Sequence, residues 1–316
     1  MRLIDVHAHF LPDRYRDALA AAGIDRPDGF PRVPTWSAEE HLAVMDRMGI
    51  DAAVLSVSSP GVRFGTGGSA ADAVALARHV NDVAAATVAE HPGRFGAFAS
   101  LPIPDLDESL AEIERSLDGL RLDGVNLLTN VDGVYLGDAS LEPIMAELDR
   151  RQAVVFIHPT SPACWECTSL GFPRPMIEFP FDTTRAVANL LLTGTLNRYP
   201  AIRWIVPHAG GTLPFLAPRI AGVGMLLGFD DPAAIVNQLR RLHYDLAGSA
   251  NEAVVAALLS LVDRSQVLYG SDWPFTPEPV VAGGLAWVSS GANPVTPAEL
   301  TAAACRLFPR LIAQTA

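Results

Sequence analysis

The sequence predicts an α/β fold, a (β/α)8 TIM barrel with extended loops after strands 1 and 5, and three observations carry that expectation. Eight short aliphatic or β-branched runs recur along the 316 residues, Ala/Leu-rich stretches of helical periodicity separate most of them, and two intervening segments are too long for simple connections. Strands alternating with helices build parallel βα units. A doubly wound open sheet is the rival. No Gly-X-Gly-X-X-Gly follows the first run, however, and two histidines closing that run would be out of place in such a sheet.

Taken in order, the expected strands are residues 3–6, 52–57, 94–100, 124–128, 153–157, 202–207, 242–246 and 266–270. Helical periodicity marks residues 37–48, 70–90, 106–117, 141–151, 183–199 and 250–262. The long segments are 11–36 and 160–182, both rich in Pro, Gly and aromatic residues. On a barrel both fall at the C-terminal rim, where active sites are built. Asp182 is expected to N-cap the helix opening at Thr183. No internal repeat or low-complexity linker divides the chain, so residues 1–316 read as one barrel domain.

Composition narrows the chemistry. All 23 basic residues are arginine. The absence of lysine excludes a Schiff-base lysine, a Walker-type phosphate loop and a carbamylated lysine bridging two metals. A formal charge of −12 and a pI near 5.0 argue against a nucleic-acid partner, which needs a basic stripe. An anionic substrate would need locally placed arginines working against the net field. Three cysteines make no disulfide framework, and Cys164-Trp-Glu-Cys167 lacks a second pair to complete a zinc site, so it reads as part of a pocket lid. With no signal-type segment and no apolar run of about 18 residues, a cytoplasmic protein without a membrane partner is expected.

The most informative residues are His7 and His9, an i, i+2 pair that a strand points to one face. Three further polar residues close short apolar runs: His158 in Phe-Ile-His-Pro, His208 in Val-Pro-His-Ala-Gly-Gly, and Asp272 in Tyr-Gly-Ser-Asp-Trp-Pro. Each has a plainer alternative. His158 could be a satisfied core histidine, and His208 or Asp272 a helix cap. Together they make a set that suits a metal. His41, His79, His91 and His243 are assigned to surface or packing roles.

This order of strand-end residues resembles the amidohydrolase superfamily, and within it the branch of aminocarboxymuconate-semialdehyde, γ-resorcylate and 6-methylsalicylate decarboxylases. The resemblance covers almost the whole chain through Asp5-Val-His-Ala-His-Phe10, Met45-Asp46 to Leu55-Ser56, His158-Pro159, residues 181–186, His208-Ala-Gly-Gly211 and Gly270-Ser-Asp-Trp-Pro-Phe275. It implies one Zn²⁺, or another divalent ion such as Mn²⁺, per subunit, held by His7, His9, His158 and Asp272. Asp272 and His208 would be the catalytic proton-handling groups. The resemblance further implies that Arg32 holds a substrate carboxylate and that Arg219 reaches the site of a neighbouring subunit, hence a homodimer. Arg185 could serve similarly or pair on its own helix, and Trp273, Trp165 and Phe172 could wall a flat ring.

The expected activity is non-oxidative decarboxylation of an aromatic or conjugated carboxylic acid, with a hydroxybenzoate or methylsalicylate as substrate class. Asp272 would deliver a proton to the ring carbon before CO₂ leaves, or a metal-activated water deprotonated by His208 would add first. The rival is hydrolysis of a lactone or related bond by the same residues. A metal-binding barrel without catalysis is the remaining alternative.

Overall fold

The computed structural model describes residues 3–64, 69–228 and 231–313. Eight parallel strands carry the fold: β1 Ile4–His9, β2 Ala52–Ser56, β3 Phe95–Ser100, β4 Gly124–Leu128, β5 Val154–His158, β6 Arg203–Val206, β7 His243–Asp245 and β8 Val267–Leu268. Each pairs with the next in chain order. The segment after β8 returns to β1 through bridges Asp5–Tyr269 and Ala8–Trp273, with Val6 N donating to Tyr269 O at 2.9 Å and His9 N to Trp273 O at 2.8 Å. The expected barrel is therefore present. β8 is shorter than the run 266–270 because its continuation pairs with β1 one bridge at a time while turning across the rim.

Two apolar layers hold the barrel. Inside it, Ile4, Val6, Val54, Phe98, Phe156 and Ile205 are buried together with Ala304 and Leu307 from the helix Pro297–Leu307 and with Phe308, its C-cap, which close the end where the strands begin. Outside, the sheet packs against its helices through a larger continuous cluster. Local chemistry sets the helix starts. Ser69 and Asp72 form a capping box before Ala70–Glu90, Thr296 and Glu299 form another before Pro297–Leu307, and Asn251 accepts from Val254 N at 3.1 Å. No described helix is long and apolar enough to cross a membrane.

The long segments are not plain loops. Residues 11–36 contain the helix Asp13–Ala21 and a turn at Pro27–Gly29, and residues 160–182 contain the short helix Trp165–Thr168. Asp182 is not an N-cap. The helix runs Glu178–Leu192, because Pro180 in its first turn forfeits no hydrogen bond. Asp182 is buried one turn inside it, accepting from Thr129 Oγ1, Tyr135 Oη and Asn130 Nδ2. A hairpin pairing Asn130–Val131 with Val134–Tyr135, unforeseen in the sequence, brings two of those donors.

Candidate active site

β1 does not pair evenly with β2. Ile4 and Asp5 face Ala52 and Ala53, whereas Ala8 and His9 face Leu55 and Ser56, so Val6 and His7 together oppose Val54. This bulge re-aims side chains. Val6 stays in the inner core while the His7 ring still turns inward, 4.8 Å from Phe156. Gly270, on the segment paired beside β1, faces it where a Cβ would lie 2.8 Å from that of His7. Asp5 stitches the two ends together, since its Oδ1 accepts from His7 N and from Ser271 N, each at 3.0 Å.

The rings of His7, His9 and His158 are buried and share one logic. In each, Nδ1 faces an oxygen: Asp245 Oδ2 at 3.0 Å for His7, Ser56 O at 3.2 Å for His9 and Pro159 O at 2.7 Å for His158. A proton held at Nδ1 by these acceptors leaves the Nε2 lone pairs free, and all three Nε2 atoms point to one focus. The ligand atoms of His7, His9 and His158 lie within 4.8 Å of one another, as do those of His7, His208 and Asp272. His7 Nε2 is 3.2 Å from His9 Nε2. Asp272 Oδ1 is 3.0 Å from His9 Nε2 and 3.6 Å from His7 Nε2. Tetrahedral ligands at about 2.1 Å from a cation would stand about 3.4 Å apart, so the donor set fits one divalent ion.

Electrostatics agrees. Burial opposes charge on His7, yet the carboxylates of Asp245, Asp272 and Asp5 raise its pKa to about 9. The field that favours a proton there favours a metal cation equally. Burial holds His158 well below the ordinary histidine range, with the charges of His9 and His7 adding to it, and burial also lowers His9. Burial alone would raise Asp272, but bonds from His208 and His9 and the charge of His7 keep it well below the usual carboxylate range.

His208 stands beside the cluster, its Nε2 3.8 Å from Asp272 Oδ2. The turn carrying it is strained. His208 and Ala209 have φ of 53° and 55°, and Asp272 has 59°. Gly211 is required there, since a Cβ would sit 2.2 Å from Pro180 O. Asp245 fixes this turn as well as His7, because its Oδ1 accepts from His208 N at 3.1 Å.

The cluster forms the floor of a cavity of about 770 Å³ lined by Phe30, Phe179, Phe275, several prolines, Met176, Ser58 and Ser59. Of the expected residues, His7, His9, His158, His208 and Asp272 come together. The expected substrate residues do not line this cavity. Arg32 is exposed, while its neighbours Phe30 and Pro31 reach the wall. Arg185 is half exposed and spends its charge on Asp182 at 3.0 Å. Trp273 is buried against His41, ring centroids 4.4 Å apart. Arg219 is exposed on the helix Leu213–Gly224. Phe172 is exposed, and Trp165 instead carries the Arg174 guanidinium 3.9 Å above its ring. Asp245 was missed, although a lone acid inside the apolar run 242–246 was a signal for it. Phe275 and Ser58 were also missed.

The amidohydrolase family profile matches residues 4–305. A 6-methylsalicylic acid decarboxylase of Aspergillus aculeatus is 37% identical over 321 residues, covering 98% of this chain and 96% of that protein. A solved structure described as amidohydrolase II superposes with a TM-score of 0.90 at 32% identity, covering 97% of this chain and 99% of that one. A dihydroxybenzoic acid decarboxylase of Polaromonas, solved with manganese and the inhibitor 2-nitroresorcinol, shares the fold at a TM-score of 0.81 and 21% identity, covering 98% of this chain and 97% of that one.

Proposed function

The chain belongs to the amidohydrolase family, and from that membership we propose that it removes CO₂ non-oxidatively from a hydroxylated aromatic acid of the 6-methylsalicylate kind. It is a carboxy-lyase working as one catalytic unit over residues 1–316. The observation that carries this is the convergence of three buried Nε2 atoms and the Asp272 carboxylate beneath an apolar cavity. His7, His9, His158 and Asp272 would hold one Zn²⁺ or Mn²⁺. Bound there, the ion would supply Lewis-acid charge for an anionic substrate.

The chain's own residues do the rest. Phe30, Phe179 and Phe275 offer ring faces and edges to a flat substrate and keep water from it. Asp272, facing His208 at the edge of the floor, takes a proton from His208 and passes it to the ring carbon bearing the carboxylate. The C–C bond then breaks, its electron pair returns to the ring, and CO₂ leaves.

Two further assignments belong to this reading. The outer side of Leu213–Gly224 and the residues after it expose Phe215, Val223, Met225, Leu226 and Leu227 around Arg219. Such a patch is large for a free surface and suits a second copy of the chain, so the working form is a homodimer that places Arg219 at the partner's cavity. The exposed Cys164 and Cys167, not joined in a disulfide, fit a reducing cytoplasm.

The test is release of labelled CO₂ from carboxyl-labelled 6-methylsalicylate, 2,6-dihydroxybenzoate and a carboxymuconate semialdehyde by metal-loaded protein. Release from at least one aromatic acid is expected. Silence across the panel together with turnover of a lactone would replace decarboxylation by hydrolysis.

A further inference from the structure

Among the described residues lining the cavity over the histidines none is an arginine, while four hydroxyl side chains line it: Ser58, Ser59, Ser249 and Thr276. Two of the four are committed. Ser59 Oγ is paired with Thr160 Oγ1 at 2.7 Å, and Thr276 Oγ1 donates to Asp272 Oδ2 at 3.3 Å. Ser249 is half-buried farther along the wall. Ser58 is different: it is 7% exposed, sits just past the end of β2, and its Oγ lies 3.4 Å from His158 Nε2.

That nitrogen is the one His158 would give to a metal. Its Nδ1–H is spent on Pro159 O at 2.7 Å, so Nε2 holds a lone pair and the Ser58 hydroxyl donates to it. A cation taking the lone pair leaves the buried Ser58 hydroxyl hydrogen without that acceptor at the cavity wall. An unmet buried donor is costly. An oxygen of a substrate held at the metal would satisfy it.

We propose that Ser58 is a specificity residue that donates its hydroxyl hydrogen to a carboxylate oxygen of the bound aromatic acid, selecting for the carboxyl group where none of the described cavity-lining residues is an arginine. This rests on the decarboxylase reading of the same site. The probe is 2-nitrophenol, whose nitro group copies the two oxygens of a carboxylate and cannot leave as CO₂, with phenol as the control. Calorimetry on metal-loaded wild type, Ser58→Ala and Ser58→Thr, each checked for metal content, reads the effect. Ser58→Ala should bind 2-nitrophenol roughly five- to tenfold more weakly and phenol unchanged, and Ser58→Thr should restore most of the difference. Equal affinity of wild type and Ser58→Ala for 2-nitrophenol overturns the proposal. So does loss of metal from Ser58→Ala, which would make Ser58 a support for His158 instead. Failure of the decarboxylase reading shows separately, as wild type that releases no CO₂ from any acid.

Discussion

The floor of the cavity and its rim are held by different means. At the floor, His7, His9 and His158 belong to strands whose backbones are bonded on both sides, and each ring is pinned at Nδ1 by a carboxylate or carbonyl. At the rim, two loops meet through a clasp built on side chains. Asp28 accepts from Ser161, 133 positions away, and Ser161 accepts from Arg174, which lies over Trp165. The floor is fixed before any ligand arrives, as chemistry requires of groups that must stay aligned. The rim can be remodelled without disturbing the sheet, which suits a surface that selects substrates.

Variants should separate the two regions by size of effect. Asp272→Asn keeps the shape of the floor but removes its proton carrier, and turnover should fall roughly 10²–10⁴-fold at matched metal content. A loss below about tenfold in CO₂ release would move proton delivery to another group. Asp245→Asn leaves every proposed ligand in place yet removes the anchor of His7 and of the His208 turn. Metal affinity, measured by chelator competition, should drop about 10- to 100-fold. Unchanged affinity would mean that the strands alone orient His7.

Acid probes the packing behind the floor. Burial lowers the pKa of His41 to about 3, with the charges of His9 and Arg94 adding to it. The folded state therefore keeps this ring neutral, while the unfolded chain protonates it below about pH 6.5. Its share of stability is complete above that pH and drains away as pH falls towards 3, about 2 kcal/mol being lost by pH 5. Denaturant midpoints across this range should show the slope in wild type and a shallower one in His41→Gln. Parallel slopes would contradict a neutral buried His41.

The rim effects are smaller. Arg174→Ala should raise KM about tenfold with little change in kcat, because it loosens the Asp28–Ser161 clasp without reaching the floor. A matching fall in kcat would tie the clasp to chemistry. Arg32→Ala should stay within about twofold of wild type in kcat/KM, since Arg32 is exposed. A large loss would restore Arg32 as the carboxylate ligand, through a movement of its loop.

The same contrast explains how far the sequence could be read. Barrel, strand order and the convergence of His7, His9, His158, His208 and Asp272 follow from local signals: apolar runs of strand length, a histidine pair at i, i+2, and polar residues closing particular strands. The bulge that turns His7 inward leaves no trace in the alternation, yet it brings His7 to the cluster on a strand that runs on to His9. Asp182 shows the limit at the rim. Asp before Thr-Thr has the chemistry of a cap, but the hairpin at 130–135 and the helix start at Glu178 convert it into a buried acceptor. Arg32 and Arg185 lie outside the chain's own cavity for the same reason. Which of 23 arginines faces a cavity depends on contacts between distant loops, and Arg185 and Arg174 find their acids within the chain.

The proposed decarboxylation rests on one divalent ion held by His7, His9, His158 and Asp272. Metal content per chain in purified wild type, His9→Ala and His158→Ala, with folding checked by circular dichroism, tests this. One ion per chain in wild type and far less in both folded variants is the predicted result. Full metal content in either folded variant, or two ions per wild-type chain, would contradict it.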